Sequence, residues 1–292
     1  LLGGVDLCAD RWDSTSHLRN DPRRSLSQRQ ETYGPYHEMG IQVTGPICNL
    51  LLQHIRRRWR RLSSIPLPDS MENPSKVDTA NYHHVWISRT RSTIDPGEER
   101  RPITREIEFL WIQLIQESKR TLWMEGQYFW SRKIQETLIQ RILRTKEPLQ
   151  ITILISDLSH LRLLPAKMTW YQAQLLSGLQ KAAQERPLVE LRIFRPSSHE
   201  RSIYVHSKLI LVDDRYLSIG SANFSARALR MDSEIMLTFE AKHAHEYSKL
   251  RRFHKELEHH WSHCSLYPVD AIAEEKLIRK KAPILSKIEW HK

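Results

Sequence analysis

The string VHSKLILVDDRYLSIGSAN at residues 205–223 constrains this chain more than any other stretch. Its apolar runs read as strands at 204–212 and 215–219, with Asp213 at the strand end between them. Laid over those strands is the pattern H-x-K-x4-D-x6-G-S-x-N, carried by His206, Lys208, Asp213, Gly220, Ser221 and Asn223. Residues two apart on a strand share a face, so an imidazole and an ammonium at this spacing describe a phosphate-handling site. The imidazole attacks phosphorus or passes a proton, the ammonium holds phosphoryl oxygens, and the G-S-x-N turn adds compact donors.

The same string, continuing into MDSEI at 231–235, resembles the second HKD motif of the phospholipase D superfamily. GGVDLCADRWDSTSH (3–17) is similar to the segment that closes the first HKD motif in two-motif phospholipases D, with G-G-x-D in place of G-S-x-N. PYHEMGIQVTGP (35–46) resembles the family's P-W/F-H-D…V-x-G-P block, RTR (89–91) its strand-end Arg segment, and LWMEGQYF (122–129) its I-Y-I-E-N-Q-Y-F block. These blocks stand in family order. His206 precedes Gly220 by 14 positions, and the same spacing puts the first motif's His 14 residues before Gly3, upstream of Leu1. The chain is therefore expected to be the C-terminal part of a longer enzyme. The fold implied is α/β: a phospholipase D-type layered sandwich, a mixed β-sheet flanked by helices, as the second half of a pseudo-twofold two-domain enzyme.

Composition sets outer limits. With 292 residues, 40% apolar and nine Trp, the chain has the material for one large core or two modest ones. A net charge of +11 favours anionic partners, and both nucleic acid and an anionic membrane surface fit that balance. Cys8, Cys48 and Cys264 are widely separated, odd in number and without metal spacing, so neither a disulfide framework nor a structural zinc is expected. No apolar run approaches the roughly 20 residues needed to span a bilayer, which predicts a soluble or peripheral protein.

Four segments are expected along the chain: 1–62 as the remainder of the first half, 63–80 as a Pro- and Ser-rich linker, 81–262 as the second catalytic domain and 263–292 as a tail. A helix over 45–62 carries Arg56, Arg57, Arg58, Arg60 and Arg61 around Trp59, read as a solvated helix end in preference to a grip on anionic lipid headgroups or nucleic acid. Thr104 is expected to cap a helix whose Ile107, Leu110, Trp111, Leu114 and Ile115 follow helical spacing. Strands at 83–89, 150–156, 188–194 and 233–239, and helices at 134–143, 167–184 and 243–260, complete the alternating pattern.

A phosphodiester repels nucleophiles, and the resemblance implies that two His-Lys pairs overcome this without a cofactor or metal. One His forms a phosphohistidine; the other protonates the leaving alcohol and later activates water. His206 is expected in the proton-transfer role, Lys208 on the phosphoryl oxygens, and Ser221 and Asn223 as phosphate donors. Glu234, ahead of Asp232, is expected to anchor the second nitrogen of His206, and Asp13 to serve the upstream His likewise. Asp213 is the motif's third letter, yet its strand-end position suggests fixing of the turn. Asp6 is expected to orient a Lys or a turn, His37 and Glu38 either to shape the pocket rim or to serve packing, and Glu125 and Gln127 to match family positions, with Gly126 departing from Asn. The remaining histidines, the pair His259 and His260 among them, lack metal spacing and read as surface or core residues.

The expected activity is phospholipase D-type hydrolysis of glycerophospholipids to phosphatidic acid and a headgroup alcohol. The partners are a phospholipid substrate at a membrane surface and the upstream half of the same chain. A cardiolipin synthase-like phosphatidyltransferase and a nuclease share the motif; the GGVD and PYHE blocks argue against nucleic acid.

Overall fold

The computed structural model describes residues 1–24, 34–65, 84–92, 103–157 and 166–281. A mixed ten-stranded sheet runs through its centre in the order Arg201–Ser202, Val189–Ser198, Leu149–Ile155, Thr121–Gly126, Leu209–Val212, Tyr216–Gly220, Glu234–Glu240, His84–Arg91, Thr104–Arg105, with Ser265–Pro268 also paired to Val189–Ser198. Thr121–Gly126, Leu149–Ile155 and Val189–Ser198 are parallel neighbours. Parallel neighbours need crossover connections, and helices α3 (Arg132–Arg144) and α4 (Ala166–Gln184) lie within them.

Alternation along the strands builds a core on each face. Met124, Ile151, Ile153, Ile210 and Met236 point to one side, where Trp111 and Leu114 of α2 (Glu106–Glu117), Ile134 and Leu138 of α3, and Leu175 and Leu179 of α4 meet them. Trp123, Leu154, Leu209, Leu211 and Leu237 point to the other, under Leu250, Leu257 and Trp261 of the long helix Ala244–Ser262. Fully burying such side chains is worth about 1.5–3 kcal/mol each, which explains why the central strands are apolar on both faces.

The N-terminal segment clasps the second core. Leu2–Gly3 pairs with Gly40–Ile41, Tyr36–His37 runs parallel to Tyr204–Val205, and Ile47 and Leu51 of α1 (Pro46–Leu62) pack on that side. This is the mixed sheet flanked by helices that the sequence implied.

Three expectations change. The strand read as 204–212 is two: Tyr204–Val205 pairs with the N-terminal segment, Leu209–Val212 joins the main sheet, and residues 206–208 form the break between them. Thr104 does not cap α2; it pairs with Arg91 in a short ladder, and Arg105 occupies the cap position. Part of the segment read as a tail is built into the domain, since Ser265–Pro268 is a sheet strand and Val269 and Ala271 are buried in the first core. Most of the expected linker, with His83, lies outside the described residues.

Candidate active site

The break at 206–208 makes the site. Released from strand geometry, the backbone N–H groups of His206 and Ser207 donate to the carbonyl of His37 at 2.7 and 3.2 Å, so the motif is tied to the N-terminal segment before its side chains are considered. Gly220 N donates to Lys208 O at 3.3 Å, which sets the start of one hairpin strand beside the end of the other and brings the His-Lys and G-S-x-N parts of the motif to the same edge.

His206 is oriented by Glu38. Its Nδ1 makes a short hydrogen bond to Glu38 Oε2, and its ring packs between Tyr36 and Tyr204, with centroids 5.2 and 5.9 Å away. With Nδ1 occupied, Nε2 is the nitrogen left for chemistry. Lys208 is buried, its ammonium 3.8 Å from Glu38 and bonded to the main-chain carbonyl of His206. Burial pulls its pKa down to about 8, against the opposing pull of Glu38, Glu234 and Asp6. A Cβ on Gly4 would stand 3.0 Å from both Cε and Nζ of Lys208, so the G-G-x-D segment lies directly against that ammonium, and a side chain there would press on it.

Glu234 does not contact His206, contrary to expectation. Ser221 Oγ donates a short bond to it, and Ile235 N donates to Ser221 Oγ at 3.1 Å. Burial raises the Glu234 carboxyl to about 7, with Ser221 working against the shift. Asn223 Nδ2 donates to the Tyr128 hydroxyl at 3.3 Å, while its Oδ1 is buried without a partner. A cavity of about 340 Å³ beside Glu234 is lined by Arg57, Arg58, Arg89 and Arg91.

Asp213 fixes its turn, as its strand-end position suggested, and the other expected residues make local contacts of their own. Asp213 and Asp214 both take positive φ, 54° and 53°, in the turn closed by Arg215 N donating to Val212 O at 2.8 Å. The Asp213 carboxylate accepts backbone N–H bonds from Lys119, Arg120 and Thr121 at 2.7, 2.7 and 2.9 Å. It is a structural turn anchor on the order of 20 Å of strand from His206, and a cavity of about 780 Å³ at that end holds none of the phosphate-handling side chains. Asp13 accepts from His17 Nδ1 at 2.7 Å and from Tyr36 N. Asp6 is paired with Arg11 at 3.4 Å, and Asp232 with Arg227 at 2.8 Å on the surface. Gln127 reaches the Tyr204 hydroxyl.

Glu125 is a buried hub rather than pocket lining. It accepts from His37 Nε2 at 3.1 Å, Ser207 Oγ at 2.7 Å, Trp123 Nε1 at 3.0 Å and Trp261 Nε1 at 2.8 Å. Burial disfavours its charge, yet His37 and these donors hold its pKa down at about 2. Sequence reasoning missed the roles of Glu38, Gly4 and Ser207. The PYHE carboxylate, standing where the family block has Asp, was the available signal for the first.

A family model described as "Cardiolipin synthase, PLD-like domain" matches residues 111–261. The chain is 22% identical over 292 aligned positions to phospholipase D A of Dictyostelium discoideum, covering 80% of this chain and 23% of that protein. It is 23% identical to phospholipase D alpha 1 of Cynara cardunculus, covering 81% of this chain and 42% of that one. The chain thus spans well under half the length of either relative. Among solved structures, phosphatidylserine synthase of Haemophilus influenzae Rd KW20 aligns at TM-score 0.48 and 18% identity, over 69% of this chain and 46% of that one. The phospholipase D family member Nuc from Salmonella typhimurium aligns at TM-score 0.44 and 16% identity, over 64% and 99%.

Proposed function

The chain belongs to the PLD-like domain family, and from that premise we propose that it carries half the active site of a two-motif phosphodiesterase cleaving glycerophospholipids to phosphatidic acid and a headgroup alcohol. The observation that carries this reading is His206 held through Nδ1 by Glu38, with the Lys208 ammonium 3.8 Å from the same carboxylate.

In the first step a His of the upstream motif attacks phosphorus, forming a P–N bond as the P–O bond to the headgroup breaks. His206 Nε2–H gives its proton to the departing alkoxide, and Glu38 stabilises the imidazolium from which that proton leaves. In the second step His206 Nε2 takes a proton from water, whose oxygen attacks phosphorus and breaks the P–N bond. Lys208 and the Ser221–Asn223 turn oppose the charge that builds on the phosphoryl oxygens. We assign Glu234, which bonds Ser221 and does not pair with His206, to the upstream His in the same way.

Support for a lipid substrate comes from the arginine-lined cavity beside Glu234 and from α1, which exposes Leu50, Ile55 and Trp59 among its arginines. Among the described residues no helix is long and apolar enough to cross a membrane. The cardiolipin synthase description of the matched family favours one variation: an alcohol replacing water in the second step, which makes the enzyme a phosphatidyltransferase.

Choline release from phosphatidylcholine vesicles, measured on a protein that includes the upstream motif, tests the reading. His206→Ala should lower turnover by about 10²–10⁴-fold and leave vesicle binding intact. Retention of most activity sinks the assignment, and turnover by the monomeric 292-residue chain sinks the half-site reading.

A further inference from the structure

Behind the catalytic histidine, three imidazoles from distant parts of the chain converge: His17, His37 and His260, each with a ring nitrogen within 4.8 Å of the others'. Their spacing follows no metal motif, so the cluster exists only in the fold. His17 and His37 are buried, and His17 Nε2 lies 3.0 Å from His260 Nε2. Two nitrogens on a tetrahedral zinc-type ion stand about 3.4 Å apart, given Zn–N bonds of about 2.0–2.1 Å.

The surroundings match a ligand set with outer support. Asp13 Oδ2 sits 2.7 Å from His17 Nδ1, fixing the tautomer whose Nε2 lone pair faces the cluster, and Glu125 Oε2 sits 3.1 Å from His37 Nε2. Trp261 stacks on His17 at 6.0 Å and closes over His37 at 4.5 Å, providing an apolar wall. We propose that His17, His37 and His260 bind one divalent transition-metal ion of the zinc class, with a water completing its shell.

The ion takes the Nε2 lone pairs of His17 and His260, and the proton that stood between them is replaced by one on His260 Nδ1, leaving both rings neutral. It joins the N-terminal segment, the Tyr36–His37 strand and the helix Ala244–Ser262 at one point. Because the His37 carbonyl accepts from the backbone of His206 and Ser207, such a clamp fixes the segment that presents Glu38. Its role is structural, and its binding is measured without the reaction proposed above.

The test is Zn²⁺ and Co²⁺ titration of chelator-treated protein, followed by calorimetry, Co²⁺ visible absorption and thermal unfolding. One equivalent should bind with a rise in Tm and a tetrahedral Co²⁺ spectrum. His17→Ala and His260→Ala should each weaken binding at least tenfold. His260→Gln, on a partly exposed helix position, serves as the milder variant if either alanine protein fails to fold. His259 and His263, whose Nε2 atoms lie 3.2 Å apart on the surface, supply the control, and their double alanine variant should bind normally. Absence of stoichiometric binding, unaltered binding in His260→Gln, or loss confined to the His259/His263 variant overturns the proposal.

Discussion

Glycine at position 4 lets the N-terminal segment pass directly against Lys208. The Cβ of alanine would meet Cε and Nζ of that lysine at 3.0 Å, and a flexible side chain yields more readily than backbone. Gly4→Ala should therefore lower turnover by at least tenfold with a Tm change of a few degrees; equal loss of both would contradict this. Glu125 carries the opposite balance, with four donors converging on one buried carboxylate. Glu125→Ala should cost about 3–5 kcal/mol in urea unfolding at pH 7, because the donors are left unmet. Its folded pKa near 2 lies below the ordinary 4.5, so its contribution is present above pH 4.5 and is lost as pH falls from there towards 2. Glu125→Gln should flatten that acid limb, and an unchanged limb would contradict the role. At this scale the sequence was a partial guide. Motif spacing found His206, Lys208 and Ser221, but the carboxylate on His206 comes from position 38, 168 residues away, which no local spacing reveals.

Elements were easier to read than their joins. Helical and strand periodicity located α1, α3, α4 and the central strands within a few residues, because their apolar faces are long and regular. The break between Val205 and Leu209 was hidden, since VHSKLILV reads as one strand and only pairing with Tyr36–His37 interrupts it. The ends of the 209–220 hairpin are set by close approach. Gly220 has no room for a side chain, as a Cβ would fall 2.2 Å from Ile235 O and 2.8 Å from Met236 Cα. Gly220→Ala should separate those strands and abolish cooperative unfolding near the wild-type Tm in calorimetry. A fall of only a degree or two would show that the strands accommodate it.

For the molecule as a whole, the mixed sheet between two cores brings one His-Lys pair to an edge where the N-terminal segment supplies Glu38 and Gly4. The family blocks made that architecture legible, while the convergence of His17, His37 and His260 arises from packing between segments that no pattern joins. The central claim is that His206 moves protons and does not form the covalent intermediate. A phosphodiester with a p-nitrophenol leaving group separates the two, since so weak a base departs without protonation. In a protein carrying the upstream motif, His206→Ala should release one equivalent of p-nitrophenol in a rapid burst and then stall, because no group activates water. Absence of the burst, or steady turnover at the wild-type rate, would contradict that role.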